Sequence, residues 1–229
     1  MARWEDEDYK PKELGQQWSK IQWERIGENR MIKKKRGEHN LFGTSGAVKA
    51  TDIEHGALDD FYFLSTLAVL AERPGLIQKS FVIDTVNQEG VFSTNLYQDG
   101  EQVEIVVDNY IPCLDGIPMF SHSKTHELWV MVLEKTWAKL LGSYEAIVTG
   151  RVHETMRDLL GAPSFEYIIA EQADGAALEI MKTSHKKKYI LAAGVNAADP
   201  QEAKKAETIG LNPSYSLAIL GIHEVQKDG

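Results

Sequence analysis

Residues 57–72 are apolar nearly all the way round a helical circumference. Leu58, Phe61, Phe63, Leu64, Leu67 and Leu70 point in every direction around it, and no continuous polar face remains. A helix of this kind has to be buried on all sides, so the rest of the chain must be built around it. Gly56 stands before the run and Pro74-Gly75 after it, and both read as its boundaries. With 229 residues the chain can bury about 70% of its extended surface, so it needs no disulfide or metal staple to form such a core.

The remaining segments suggest what surrounds that helix. Leu14, Trp18, Ile21 and Arg25 follow helical spacing and predict a short amphipathic helix in an acidic, tryptophan-containing leader. The run Lys33-Lys34-Lys35-Arg36, followed by a loop rich in glycine and small residues over 37–51, reads as a solvated loop. Residues 80–86 and 91–97 have strand composition. Asp99-Gly100 separates 91–97 from 102–108 and predicts a tight hairpin, because both turn positions need positive φ. Residues 126–141 carry two apolar rows at helical spacing and end at Gly142. Further helices are predicted over 152–160 and 174–182. Strands are predicted over 189–195 and 216–225, the second apolar enough to be central, with 196–208 a polar excursion on the surface. Helices and strands in this order indicate an α+β fold rather than a regular βαβ alternation.

Charge and cysteine content narrow the function classes. Asp and Glu number 34 against 25 Lys and Arg, a net charge of -9, which argues against nucleic acid or anionic membranes as partners. A single cysteine, Cys113, excludes an internal disulfide and a cysteine-based zinc site, and fits a reducing compartment. The first ten residues lack the apolar run of a signal peptide, and Ala2 in place of glycine excludes myristoylation. The apolar stretches 61–71 and 128–141 are too short or too charged to span a bilayer. The expectation is a cytoplasmic protein.

One motif is specific. His55-Gly56-Ala57-Leu58-Asp59-Asp60-Phe61-Tyr62-Phe63-Leu64 resembles the active-site helix of the calpain family, whose pattern reads Gln-Gly-Ala-Leu-Gly-Asp-Cys-Trp-Leu-Leu. The likeness runs along the chain in order. Trp4-Glu5-Asp6-Glu7-Asp8-Tyr9 and Ile21-Gln22-Trp23-Glu24-Arg25 are similar to the calpain lead-in. Tyr97-Gln98-Asp99-Gly100 is similar to its hairpin, and Glu127-Leu128-Trp129 follows in the same order. Leu133-Glu134-Lys135-Thr136-Trp137-Ala138-Lys139 and Gly142-Ser143-Tyr144-Glu145 resemble the family's Leu-Glu-Lys-Ala-Tyr-Ala-Lys helix and Gly-Ser-Tyr-Glu turn. Gly210-Leu211-Asn212-Pro213-Ser214-Tyr215-Ser216-Leu217 resembles the segment of the catalytic histidine. The resemblance implies a papain-like, calpain-type α+β core in two parts. Residues 1–150 would form a helical first half with the hairpin at 91–108, and residues 151–229 a shortened second half.

The chemistry of such a core needs a thiol at the start of the central helix, a histidine base, a residue to orient that base and a donor for the oxyanion. Carried over position by position, the thiol falls on Phe61, the histidine on Tyr215 and the oxyanion glutamine on His55, while the orienting asparagine falls past Gly229. Phenylalanine has no nucleophilic atom, and tyrosine titrates near pH 10, too high for a base at neutral pH. No catalytic residues are therefore expected. Phe61 and Tyr215 are expected to pack together across the cleft. Cys113 follows the hairpin, away from any helix start, and reads as a packed thiol. Asp59 and Asp60 read as helix caps. The acidic side chains of the family's first calcium site match Asp52 and Glu127, while its loop glycine aligns near Ala47 and its linking arginine with Ala50. Calcium at Asp52 and Glu127 is the only cofactor the resemblance suggests. The function implied is a catalytically inactive calpain-like scaffold or protein-binding module. Its partner would cover the shortened second lobe, and a cytoskeletal or ciliary assembly is the setting the family suggests. The alternative is a regulatory subunit or decoy of an active calpain-type protease.

Overall fold

A computed structural model describes residues 5–6, 18–29, 40–43, 46–195, 200–212 and 216–223. Strand β1 (Gln22–Arg25) opens the described chain, followed by the short β2 (Ile53–Glu54), helix α1 (Phe61–Ala71) and helix α2 (Pro74–Ser80). The hairpin β3 (Val91–Gln98) and β4 (Glu101–Asp108) leads into β5 (Tyr110–Leu114), β6 (Ile117–Pro118) and β7 (His122–Ser123). Helices α3 (Trp129–Leu141) and α4 (Val152–Leu160) complete the main body. Helix α5 (Ala176–Lys186), β8 (Ala192–Gly194), α6 (Pro200–Thr208) and β9 (Ser216–Ala218) follow.

α1 and α3 are the centre. Phe63, Leu67 and Leu70 of α1 and Trp129, Val130, Leu133 and Ala138 of α3 are all but inaccessible. Phe63 stacks on Trp137 with ring centroids 5.5 Å apart, and Trp137 Nε1 donates to the Tyr62 hydroxyl at 3.1 Å. The apolar run predicted for 57–72 is thus a buried helix, but it starts at Phe61. Residues 57–60 instead form a loop whose Ala57 amide donates to the Met119 carbonyl at 2.7 Å.

The hairpin is as predicted. Eight residues pair on each side, from Val91↔Asp108 to Gln98↔Glu101, across Asp99 at φ 53° and Gly100 at φ 86°. α4 spans the predicted 152–160 and packs on α1 and β3. Gly161 ends it at φ 63°, with a Cβ there falling 2.3 Å from the Tyr97 ring, so only glycine fits.

Three expectations are corrected. Residues 22–25, placed in an amphipathic helix, form a strand that pairs antiparallel with β5, Gln22 opposite Cys113 and Arg25 opposite Tyr110. Leu14 lies outside the described residues. Residues 80–86 are not a strand: Pro74, with no amide to lose in a first turn, opens α2 up to Ser80, and only Phe81 then bridges to Thr94. Of the strand predicted over 216–225, the described residues 216–223 hold β9, which among the described residues pairs only with β8 in a two-stranded ribbon, and Leu217 and Leu220 are 52% and 67% exposed, so it is not central; 224–225 lie outside the described residues. Within the polar excursion predicted over 196–208, residues 200–208 form α6. The basic run at 33–36 lies outside the described residues. Among the described residues no helix is long and apolar enough to cross a membrane.

α3 also carries a buried ion pair. Lys135 meets the Asp108 carboxylate at the end of the hairpin and donates to the carbonyls of Asp108 and Tyr110 at 3.0 and 2.7 Å. Asp108 in turn accepts the Asp6 amide at 2.9 Å, and Asp6 accepts from Lys139 at 2.6 Å. Burial lowers the Lys135 pKa, and the Asp108 carboxylate opposes that shift. Removing one partner leaves an uncompensated charge in the core. Lys135→Ala is expected to lower unfolding stability by about 3–5 kcal/mol, measured by urea denaturation.

Candidate functional site

The site to examine is the head of α1. The loop leading to it is held so tightly that a Cβ on Gly56 would lie 2.3 Å from the Phe120 backbone, which requires glycine there. His55 is exposed, and its Nδ1 donates to the Gly56 carbonyl at 3.2 Å. Its ring meets that of Phe61 at 5.4 Å in a tilted edge contact. Phe61 occupies the first position of α1 and is half-buried. β9 lies against α1, but Tyr215, just before it, lies outside the described residues, so the contact expected between Phe61 and Tyr215 does too.

Asp60 is the N-cap residue of α1, yet its side chain makes no capping bond. The amides of Phe63 and Leu64 turn to its backbone carbonyl instead. The capping role expected of its carboxylate is therefore corrected: Asp60 is fully buried and faces Glu134 of α3. Glu134 accepts the Ser121 amide at 3.1 Å. Burial pushes Asp60 up to about 7, and burial with the Asp60 charge raises Glu134 well above the usual carboxylate range. Sequence reasoning missed this pair. The available signal was Glu134 itself, a carboxylate inside a helix otherwise apolar on two rows.

Cys113 lies in β5, inaccessible to solvent, where Asn29 Nδ2 donates to its Sγ at 3.3 Å. Burial pushes its thiol up to about 12, with the Glu24 charge adding to the shift. A nucleophilic cysteine needs the opposite surroundings, exposed and electropositive. As expected, it is a packed thiol.

The two carboxylates proposed for calcium come to neighbouring loops. Pairing of β2 with β7 sets Ile53 opposite Ser123, and the Lys124 amide donates to the Asp52 carbonyl at 2.9 Å. Glu127 is buried, and its Oε2 accepts from the hydroxyls of Ser123, at 2.6 Å, and Thr125. The Ala47 carbonyl accepts the Gly43 amide at 2.8 Å. Among the described residues no three His, Cys, Asp or Glu side chains gather as a metal site. Calcium takes six to eight oxygens, so backbone carbonyls and water would have to complete a site built on these two carboxylates.

Comparison with known proteins gives a consistent answer. The family model described as calpain family cysteine protease matches residues 4–229. The calpain-type cysteine protease ADL1 of Oryza sativa subsp. japonica is 33% identical over 189 residues, which is 79% of this chain and 9% of that protein. Calpain-8 of Rattus norvegicus is 31% identical over 188 residues, 80% of this chain and 27% of the relative. The calpain-2 catalytic subunit of Bos taurus is 30% identical over 225 residues, 95% of this chain and 31% of the relative. The chain thus spans less than a third of the length of these relatives.

Two measurements check the site. Phe63→Ala, at a fully buried ring, is expected to cost about 3–5 kcal/mol, and Phe61→Ala, half-buried at the helix head, about 1 kcal/mol, read as a difference in denaturation midpoint. Cys113 is expected to resist alkylation by iodoacetamide in the native protein at neutral pH and to react at once in denaturant.

Proposed function

This chain belongs to the calpain family of cysteine proteases, and we propose that it is a catalytically inactive member that works by binding other proteins. One observation carries the proposal: phenylalanine stands at the head of α1 where the family places its thiol, and the chain's only cysteine is sealed in β5. The helix start that would favour a thiolate is in place, with no sulfur on it. Tyr215 at the histidine position supplies no base at neutral pH.

A binding role is supported by the surface after α4. Phe165, Ile169 and Ile209 are 75%, 67% and 74% exposed, and Tyr167, Ile168 and Tyr189 are exposed as well. Four of them fall within residues 165–169, and an exposed apolar run of that kind suits a surface that another protein covers. The family resemblance suggests a cytoplasmic scaffold within a cytoskeletal or ciliary assembly.

Purified protein is expected to leave casein uncut with or without calcium, and Phe61→Cys to stay inactive because no base accompanies the thiol. Loss of nucleophile and base together removes a factor of about 10⁶. Robust cleavage by Phe61→Cys would overturn the assignment. For the binding role, Phe165→Asp with Ile169→Asp is expected to abolish recovery of cytoskeletal proteins by the tagged chain from native lysate. Recovery of an active calpain-type protease instead would favour a regulatory subunit or decoy.

A further inference from the structure

Asp60 and Glu134 meet in a part of the core where, among the described residues, no Lys or Arg pairs with either of them. Both side chains are buried, at 0% and 1% exposure. Neither Asp60 oxygen receives a hydrogen bond from any donor among the described residues. Glu134 has the Ser121 amide, within 3.2 Å of both its oxygens. Lys135, the next residue along α3, is directed to Asp108 and to the carbonyls of Asp108 and Tyr110. The cavity beside Glu134, lined by Phe120, Ser121, Met131 and Tyr144 among others, is about 10 Å³, room for one water molecule at most, so burial leaves the pair little solvent to screen it.

Two ionised carboxylates are both acceptors and repel each other, and in a site this dry the repulsion is not screened. Two facing carboxyls become compatible when one carries a proton and donates it to the other. We propose that Asp60 and Glu134 hold one proton between them and that this carboxyl pair is a base-sensitive latch joining the head of α1 to α3. The other groups facing the pair do not replace the proton. His55 and Asp59, of opposite sign when His55 is protonated, lie on the exposed loop before α1, and Tyr62 follows on α1 with its hydroxyl on Trp137. Ser121 contributes its amide.

The pH dependence follows from the direction of the shifts. The pair keeps its one shared proton to a higher pH in the folded protein than either acid keeps its own in the unfolded chain, so the stabilising contribution of that proton is complete below the ordinary carboxylate range near pH 4. It is lost as pH rises towards about 7, where Asp60 ionises. One proton more in the folded than in the unfolded state makes the folding equilibrium constant fall about tenfold per pH unit in that interval. The latch therefore loosens at the point on α1 where the family places its nucleophile.

The test has two arms on the full chain. Carboxyl-carbon NMR of the wild-type protein is expected to show two coupled resonances titrating well above all other carboxyls, and ionisation of every carboxyl below about pH 5 would overturn the proposal. In the second arm, Asp60→Asn with Glu134→Gln gives two amides that hydrogen-bond without a shared proton. Urea unfolding between about pH 5 and 7 is expected to lose a tenfold-per-unit dependence relative to wild type. An unchanged slope in the double variant would overturn the latch. If that variant does not fold, the wild-type titration decides alone.

Discussion

Burial of α3 on nearly every side sets the terms for the rest of the structure. Ten consecutive residues of it, from Trp129 to Ala138, are inaccessible or nearly so, and two of them are Glu134 and Lys135. A helix that buries a carboxyl and an ammonium side by side must find each a partner, because an unpaired charge in the core costs more than most single contacts return. Lys135 reaches the end of the hairpin at Asp108, and through Asp108 and Lys139 the backbone and side chain of Asp6 are held as well. Glu134 reaches the other way, to the Ser121 amide and Asp60. The two polar groups thus clamp the sheet side and the α1 side onto one helix, while the Phe63–Trp137 stack fills the apolar space between.

That arrangement fixes the head of α1, where the chain carries an aromatic ring and a buried carboxyl. The loop over Gly56 runs close against Phe120, and α1 begins at residue 61. A helix start favours negative charge through its free amides and dipole. Here the first residue is an aromatic ring in contact with His55, and the neighbouring carboxyl is turned inward, so the favourable field meets no group that could use it. Cys113 occupies the opposite environment, closed off, apolar and close to the Glu24 charge. The helix head and the chain's one thiol thus lie in different surroundings.

The residues after α4 contribute little to the main core. α5, α6 and the ribbon β8–β9 expose more apolar side chains than they bury, and Ala206 is the one buried apolar residue among those described beyond Leu159. Three-residue strands paired only with each other are marginal alone. This part of the chain has surface available for contacts with other molecules.

The sequence by itself determined the elements whose signals are local. Asp99-Gly100 accepts positive φ and so set the hairpin register, Gly161 and Gly142 ended their helices, and the apolar run of α1 required a buried helix. The motif around residue 61 also made the family legible, and with it the missing thiol. What the tertiary structure alone decided was where partners lie. Residues 22–25 became a strand because β5, some ninety residues on, offered an antiparallel edge, and no local periodicity encodes that partner. Leu217 looked central because it is apolar, but burial depends on which strands flank it, and among the described residues only β8 does. Asp60 read as a cap because caps are local. Its carboxyl instead faces a residue over seventy positions away, since α3 brings Glu134 to the helix head and a shared proton between two buried acids is a property of their proximity, not of either residue.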